Sequence, residues 1–566
     1  MTGEEPSAAP SMPRGIARTA AALPAIVLFV AIPTWVHATH AAEFELQPGA
    51  LSLPMGIGLL TALPLAMLAG GSRGSAILSA IGLVFLTAAL LPGSDWMPFD
   101  SDTTVRTSLV MAALQLVIVM AVIVAVRRHA RPLILAGALT SVALLAGSAA
   151  LLLLNPAHAV PPGQRSKPAV DKPNIYHFIF DGFSSRVLTG ERLRAAKPML
   201  AGFTFFPDNR ANYFATDASL PSMFTSSFFQ GGAFRDFQAR AREGGFRKAL
   251  QDAGYSVTTY TPDRNRFWWY AHSDAAVTAQ DLGRARHDGD GSRLLLQASL
   301  VRASPIGTRQ AVLWFTRKAM PWTAYNRYKQ DAAMLDRFLE DEAERPARGQ
   351  YVYFHIMVPH PPYLRDGRCQ KVGKGRASYT SQADCALTMM RRVVDRLRAL
   401  GKFDGAMIIF QGDHGFHSDE SNLPPEHVPL PETVRQKLDA MQDSFGADAL
   451  MERSQTLLVV KRPNAALGPL RISPARTQLI DIGPTIAGAA DVRSSGLGLS
   501  VFSPEASRAR DWHFFAGITR KHGLFRKRMG RDTEDGHIAH ISLDGSGRWH
   551  IHPDIVAGEP SDRPAL

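Results

Sequence analysis

NIYHFIFDGF, Asn174 to Phe183, decides how this chain folds. A run of aliphatic and aromatic residues, interrupted only by His177, is too short for an ordinary helix and reads as a strand buried on both faces. Asp181 follows it directly and Gly182 lets the backbone turn away, which sets one carboxylate at the mouth of a sheet. The pattern recurs in GAMIIFQ, Gly405 to Gln411, followed by Asp413, His414 and Gly415. YSVTTY (Tyr255 to Tyr260), YVYFHIMV (Tyr351 to Val358) and TLLVV (Thr456 to Val460) read as further buried strands. Helical patterns lie between them at Phe246 to Ala253, Tyr328 to Glu344 and Gln382 to Leu400. The alternation predicts an α/β domain with a mainly parallel sheet covered on both faces, whose ligands bind beyond the carboxyl ends of its strands.

Those strand ends carry the chemistry. Asp181 at one and the Asp413-His414 pair at another offer hard oxygen and imidazole ligands that suit a divalent ion such as Zn²⁺, Mn²⁺, Mg²⁺ or Ca²⁺. A single Asp after a strand equally serves as a helix N-cap; the set of three is more pointed.

The first 160 residues differ from the rest. They hold seven Arg, no Lys and seven Asp or Glu, so the formal net charge of +12 belongs to the remainder of the chain. Five apolar stretches without charge, roughly Thr19 to Val36, Leu53 to Gly70, Ser75 to Leu91, Ser108 to Val126 and Pro132 to Leu154, are long enough to cross a bilayer. Arg14 and Arg18, Arg73, and Arg127, Arg128 and Arg131 fall in alternate connections and place those on the inner side. The expectation is a five-helix transmembrane domain over residues 1–154 in a cytoplasmic (inner) membrane, N-terminus inside, with everything after Pro156 exported to a periplasm or the outside. A retained first span fits this alternation better than a cleaved signal peptide. Spans without ionisable groups suit an anchor with access to lipid better than a transport pathway.

NPAHAVPPGQRSKPAVDK, residues 155–172, reads as a stiff linker. A catalytic domain is expected over 173–502 and a C-terminal subregion over 503–566, where IAHISLDGSGRWHIHP suggests a terminal hairpin. Cys369 and Cys385, the two cysteines, fall in the exported part, where a structural disulfide is favoured over a thiolate metal site lacking ligands at zinc spacing. The basic excess fits attraction to anionic headgroups or phosphorylated glycans. Nucleic acid is discounted as a partner, since basic residues are mixed with acidic ones and no binding motif is present.

Six blocks in order carry a resemblance: NIYHFIFDGF, NYFATDASLPSMFTS (Asn212 to Ser226), LQDAGYSV (Leu250 to Val257), HIMVPHPPY (His355 to Tyr363), QGDHG (Gln411 to Gly415) and QLIDIGPTI (Gln478 to Ile486). Between Pro173 and Gly488 the sequence resembles the sulfatase branch of the alkaline phosphatase superfamily, particularly its membrane-anchored lipoteichoic acid synthases and phosphoethanolamine transferases. Five spans ahead of an exported domain also match those transferases.

The resemblance implies Asp181, Asp413 and His414 as metal ligands, with a hydroxyl from the second block as nucleophile and further ligand. Thr216 suits the transferase pattern; Ser219 is the alternative, aligned with the modified residue of sulfatases. Thr216 is favoured because Met223 stands where the Arg associated with formylglycine belongs and no Cys lies nearby. His360 and His355 are expected to bind the substrate phosphate or protonate the leaving group. His417 is a weaker substrate-binding candidate, and His427 weaker still. The family's sulfatases carry paired acids after the first strand, whereas here Gly182 follows Asp181.

Together these imply a metal-dependent transferase moving phosphoethanolamine or phosphoglycerol from a membrane phospholipid to an envelope glycan or glycolipid through a phospho-Thr intermediate. The alternatives are a sulfatase-like hydrolase of sulfate or phosphate esters, and a membrane protein that keeps the fold without catalysis.

Overall fold

The computed structural model describes, in the main, residues 25–37, 48–68, 170–261, 273–278, 288–304, 309–320, 331–416, 429–440, 446–517 and 537–556. The chain divides into two compact units, one of Met1–Ala159 with Arg284–Tyr325, the other of Val160–Gly283 with Asn326–Leu566.

In the first unit the apolar helix α1, Ser52–Leu68, turns Leu59, Leu60, Leu63 and Met67 outward. It coincides with the second predicted span. The third predicted span, and nearly all of the fourth and fifth, lie outside the described residues. Among the described residues no helix is long and apolar enough to cross a membrane. Residues 284–325, read from sequence as part of the catalytic domain, group instead with the N-terminal segment. Their first helix packs against α1, and Ser292 Oγ donates to Ala50 O at 2.8 Å.

The second unit is built on an eight-stranded sheet. Its strands are β1 (Ile175–Phe180), β2 (Thr204–Phe205), β4 (Ser256–Thr261), β5 (Ala275–Thr278), β6 (Gln350–Ile356), β7 (Met407–Gly412), β8 (Leu458–Lys461) and β9 (Arg471–Ile472), in the order β5-β4-β6-β1-β7-β8-β2-β9. The run from β5 to β7 is parallel, and β8 pairs antiparallel with both β7 and β2. Short β3 (Asn209–Arg210) and β10 (Thr477–Gln478) pair apart from it. The predicted buried strands are all present, with ends shifted by two residues at most.

Period-two alternation sorts the central strands. Tyr176, Phe178 and Phe180 join Phe354 and Phe410 in one core, with helix Tyr379–Ala399 behind them. Ile175, Ile179, Tyr351, Tyr353 and Ile409 join the other, under α2 (Thr216–Thr225) and the helix Gly245–Asp252. Both faces are therefore covered mainly by apolar side chains, and Asp181 and Asp413 stand just past the strand ends. A second sheet of β11 (Trp512–Gly517), β12 (His537–Leu543) and β13 (Trp549–Val556) is antiparallel throughout. Its β12–β13 hairpin is the one suggested by the sequence, closed by Asp544 N donating to Arg548 O at 2.9 Å.

Candidate active site

Phe180 stands opposite both Ile356 and Gly412, so β1, β6 and β7 end at one level. Asp181 and Asp413 leave the sheet together there. His355, opposite Ile179, lies on the same sheet face as Asp181. All three are buried, and a ligand atom from each lies within 4.8 Å of the others.

Gly182 explains the missing second acid. Its φ of +71° favours glycine, and a Cβ there would crowd Phe416 at 3.3 Å. Its N–H donates to Asp413 Oδ1 at 2.8 Å, and the His414 N–H reaches the same oxygen at 2.9 Å. Asp413 Oδ2 and Asp181 Oδ1 are then left buried without a hydrogen-bond partner.

Imidazole nitrogens surround the two carboxylates. His414 Nε2 is 3.7 Å from each of Asp181 Oδ1 and Asp413 Oδ2, His360 Nε2 is 4.0 Å from Asp181 Oδ1, and His355 Nε2 is 3.4 Å from Asp181 Oδ2. His414 Nδ1 lies 2.7 Å from Gly415 O, and His360 Nδ1 lies 2.7 Å from Pro361 O. A carbonyl only accepts, so each Nδ1 carries the proton, and in the neutral ring Nε2 presents a lone pair to the carboxylates. Lone pairs facing buried carboxylate oxygens repel unless a cation lies between them. Ligand atoms at about 2.0–2.2 Å from a tetrahedral ion stand roughly 3.3–3.6 Å apart, close to the spacings here. Asp181, Asp413 and His355 could hold a divalent metal ion, and His414 Nε2 lies beside both carboxylates. The Gly415 carbonyl behind His414 fixes its ring, a contact of the kind that orients metal-bound imidazoles.

Burial pushes the Asp181 carboxyl up, and the His360, His355 and His414 rings beside it outweigh burial whenever they are protonated, holding the group well below the usual carboxylate range. Burial lowers His360, against the pull of Asp181, which favours the neutral ring.

Thr216 opens α2, where unsatisfied backbone N–H groups gather and the helix dipole is positive. Ser219 sits one turn inside the helix, fully buried, its Oγ donating to Tyr213 O at 3.0 Å. His360 stands at the rim with a partly exposed side chain, whereas His355, read from sequence as a substrate contact, lies on the floor among the ligand candidates. His417 and His427 lie outside the described residues.

The supports around the site are specific. Tyr379 OH donates to Gly182 O at 2.8 Å and accepts from Ser184 N at 2.9 Å, bracing the turn after Asp181. Gln382 Nε2 donates to Pro359 O at 3.1 Å and His360 O at 3.2 Å, fixing the segment that presents His360. Cys369 and Cys385 form a disulfide, S–S 2.03 Å, that ties the following loop to the same helix. Sequence reasoning missed Arg453, at the end of helix Ala447–Ser454. Its Nε and Nη2 both donate to Phe214 O, at 3.1 and 3.0 Å, two residues before Thr216, and its guanidinium lies 5.5 Å from the centre of the Phe416 ring. No motif marks it, because its role arises only when β8 returns beside β7.

A family model described as Sulfatase matches residues 185–492, just over half of the chain. The chain belongs to the sulfatase family. Sulfatase-family enzymes act as phosphotransferases or as hydrolases of sulfate and phosphate esters, and this chain falls in that enzyme class. A search of curated proteins returned no match. Among solved structures the chain is similar to an alkaline phosphatase superfamily protein from Vibrio parahaemolyticus, at 11% identity and TM-score 0.39, over 68% of this chain and 81% of that one. It is also similar to the lipoteichoic acid synthase LtaP from Listeria monocytogenes, at 12% identity and TM-score 0.37, over 67% and 86%. The periplasmic domain of EptC from Escherichia coli matches at 12% identity and TM-score 0.36, over 59% and 87%.

Proposed function

We propose that this sulfatase-family chain is a membrane-anchored transferase. It would move a phospho-alcohol group, phosphoethanolamine or phosphoglycerol, from a phospholipid to a hydroxyl of an envelope glycan or glycolipid. The observation that carries the reading is the convergence of Asp181, Asp413, His355 and His414 at one sheet edge, in a chain whose block NYFATDASLPSMF offers Thr216 at a helix start and lacks the Cys and Arg of formylglycine sulfatases. The five uncharged apolar stretches support a lipid donor and a five-span anchor in the inner membrane, with the catalytic unit exported.

Asp181, Asp413, His414 and His355 would hold the ion, with the Thr216 hydroxyl as a further ligand. A bound divalent ion lowers the pKa of a coordinated hydroxyl and offsets charge on phosphoryl oxygens. Thr216 Oγ1 attacks phosphorus, the bond to the diacylglycerol oxygen breaks, and the Thr216 proton and that alkoxide leave as an alcohol. His360 at the rim, held neutral by burial, passes through its protonated form to deliver that proton. N–H groups at the start of α2 face the anionic group being transferred. The acceptor hydroxyl then attacks the same phosphorus, gives up its proton through His360, and releases Thr216.

The test is mass spectrometry of the full chain after exposure to phospholipid labelled in its headgroup. Label on Thr216 that chases onto an added glycan acceptor supports transfer. Label released only to water, with no adduct on Thr216, overturns it in favour of hydrolysis.

A further inference from the structure

We infer that the C-terminal sheet carries a second metal site, made by His513, His540 and His552, for a borderline d-block cation of the zinc class. The three residues come from three neighbouring strands, β11, β12 and β13, and share one face: Phe515 pairs with His540, and His540 with His552. A ring nitrogen from each lies within 4.8 Å of the other two. His513 Nδ1 and His540 Nε2 share a hydrogen bond of 2.9 Å, whose proton a bound ion would replace. His540 is fully buried, whereas His513 and His552 are half-buried and keep an entry path open to solvent.

A wholly imidazole donor set selects by chemistry. Neutral imidazole suits zinc, copper, nickel and cobalt, whereas magnesium and calcium demand oxygen ligands. His513 is pushed toward its neutral, ligating form, first by burial and then by His552. Ser542 Oγ contacts His552 Nε2 at 2.8 Å, an outer contact of the kind that sets the orientation of a metal-bound ring. His540 lies between the Phe515 ring, 4.4 Å away, and the His552 ring, 4.0 Å away. Seating an ion at about 2.0–2.1 Å from each nitrogen requires His513 and His540 to part by roughly 0.4 Å and His552 to swing out of its 19° stack on His540, which its solvent-facing side permits.

The site would be structural, with three ligands from the chain and water as the fourth. It would staple the sheet beside the segment that leads to Thr216. Asn212 Nδ2 donates to His513 O at 2.8 Å, Phe515 N donates to Asn212 O at 2.9 Å, and the Tyr213 and Phe515 rings stack with centroids 5.0 Å apart.

The experiment uses the untagged full-length chain in detergent. Active-site metal is removed by Asp181→Asn with Asp413→Asn, and the second site by His513→Gln with His552→Gln, leaving buried His540 in place. Zinc per chain is counted by mass spectrometry after dialysis against micromolar zinc. The expected result is one zinc retained by the carboxylate variant and none when the histidine changes are added. Cobalt in place of zinc should give the visible absorption of a tetrahedral site in the first protein only. The single variant His552→Gln guards against misfolding: in chelator it should melt with its parent, and zinc should raise Tm in the parent alone. A carboxylate variant that holds no zinc, or a fourfold variant that holds as much as its parent, overturns the proposal.

Discussion

His414 Nε2 lies 3.7 Å from Asp181 Oδ1, with its Nδ1 proton committed to Gly415 O at 2.7 Å. Two electron-rich atoms held at that separation in a buried place are strained against each other until a cation arrives. Loaded and stripped protein should therefore rank variants in opposite orders. In chelator, Asp413→Asn is expected to melt at or above wild type, because its amide oxygen still accepts from Gly182 N and His414 N while one buried charge is gone. With zinc or manganese added, wild type should gain Tm by ligand linkage and the variant should not. Turnover of the variant should fall by about 10³-fold or more. Melting curves with and without metal check the inversion; an equal gain in both proteins removes Asp413 from the ligand set.

Thr216 and Ser219 are separated by one helical turn and by what their hydroxyls do. Thr216→Ala is expected to abolish the covalent adduct and lower turnover to background. Ser219→Ala loses one buried hydrogen bond to Tyr213 O, which should cost about 1 kcal/mol of stability and leave the adduct intact. Adduct mass and denaturant melts on both variants distinguish the roles. An adduct that disappears only in Ser219→Ala reverses the assignment.

Arg453 acts through the backbone that carries Thr216. Lysine keeps the charge but not the two-pronged grip of Nε and Nη2 on Phe214 O. Arg453→Lys is therefore expected to lower kcat by about 10-fold to 100-fold with KM changed by less than 3-fold, the signature of a misplaced nucleophile rather than a lost substrate contact. A change confined to KM would make Arg453 a substrate ligand instead.

Much of this site was legible because β1, β6 and β7 are buried on both faces: an unbroken apolar run has a visible end, and Asp181 and Asp413 stand just past it. What the sequence hides is whatever depends on register or on the return of distant chain. His355 joins Asp181 only because Ile179 faces it across β1 and β6, and His513, His540 and His552 meet only when three strands align. Arg453 and the helices within Arg284–Tyr325 are ordinary polar or amphipathic stretches until tertiary packing gives them partners.

The Cys369–Cys385 bond closes a loop of 16 residues directly after the segment carrying His360. Chain-entropy arguments assign about 3 kcal/mol to a closure of that size. Reduction, or Cys369→Ser with Cys385→Ser, should lower stability by that order. The active-site turn itself should survive, since Tyr379 and Gln382 hold it independently. Urea melts with and without reductant check the first statement, and residual turnover below the new midpoint checks the second.

Asp331 supplies a pH-dependence separate from the metal. Burial raises its carboxyl from an ordinary 3.8 to about 7, even though Val358 N donates to Oδ2 at 2.9 Å, and Oδ1 has no hydrogen-bond partner. The folded state therefore holds a proton that the unfolded chain has lost between those two values. Stability from this group is fully present below about pH 4 and is lost as pH rises through about 7. Asp331→Asn removes the titration while its amide oxygen keeps the bond to Val358 N. In chelator, so that no ion near His355 perturbs the balance, the variant should match wild type at pH 4 and exceed it by about 1–3 kcal/mol at pH 8. The gain stays below the full linkage value because the new amide N–H groups also need an acceptor. Denaturant melts of both proteins across that range measure it. A difference that does not grow with pH would show that Asp331 is ionised throughout and that its burial is compensated by charge.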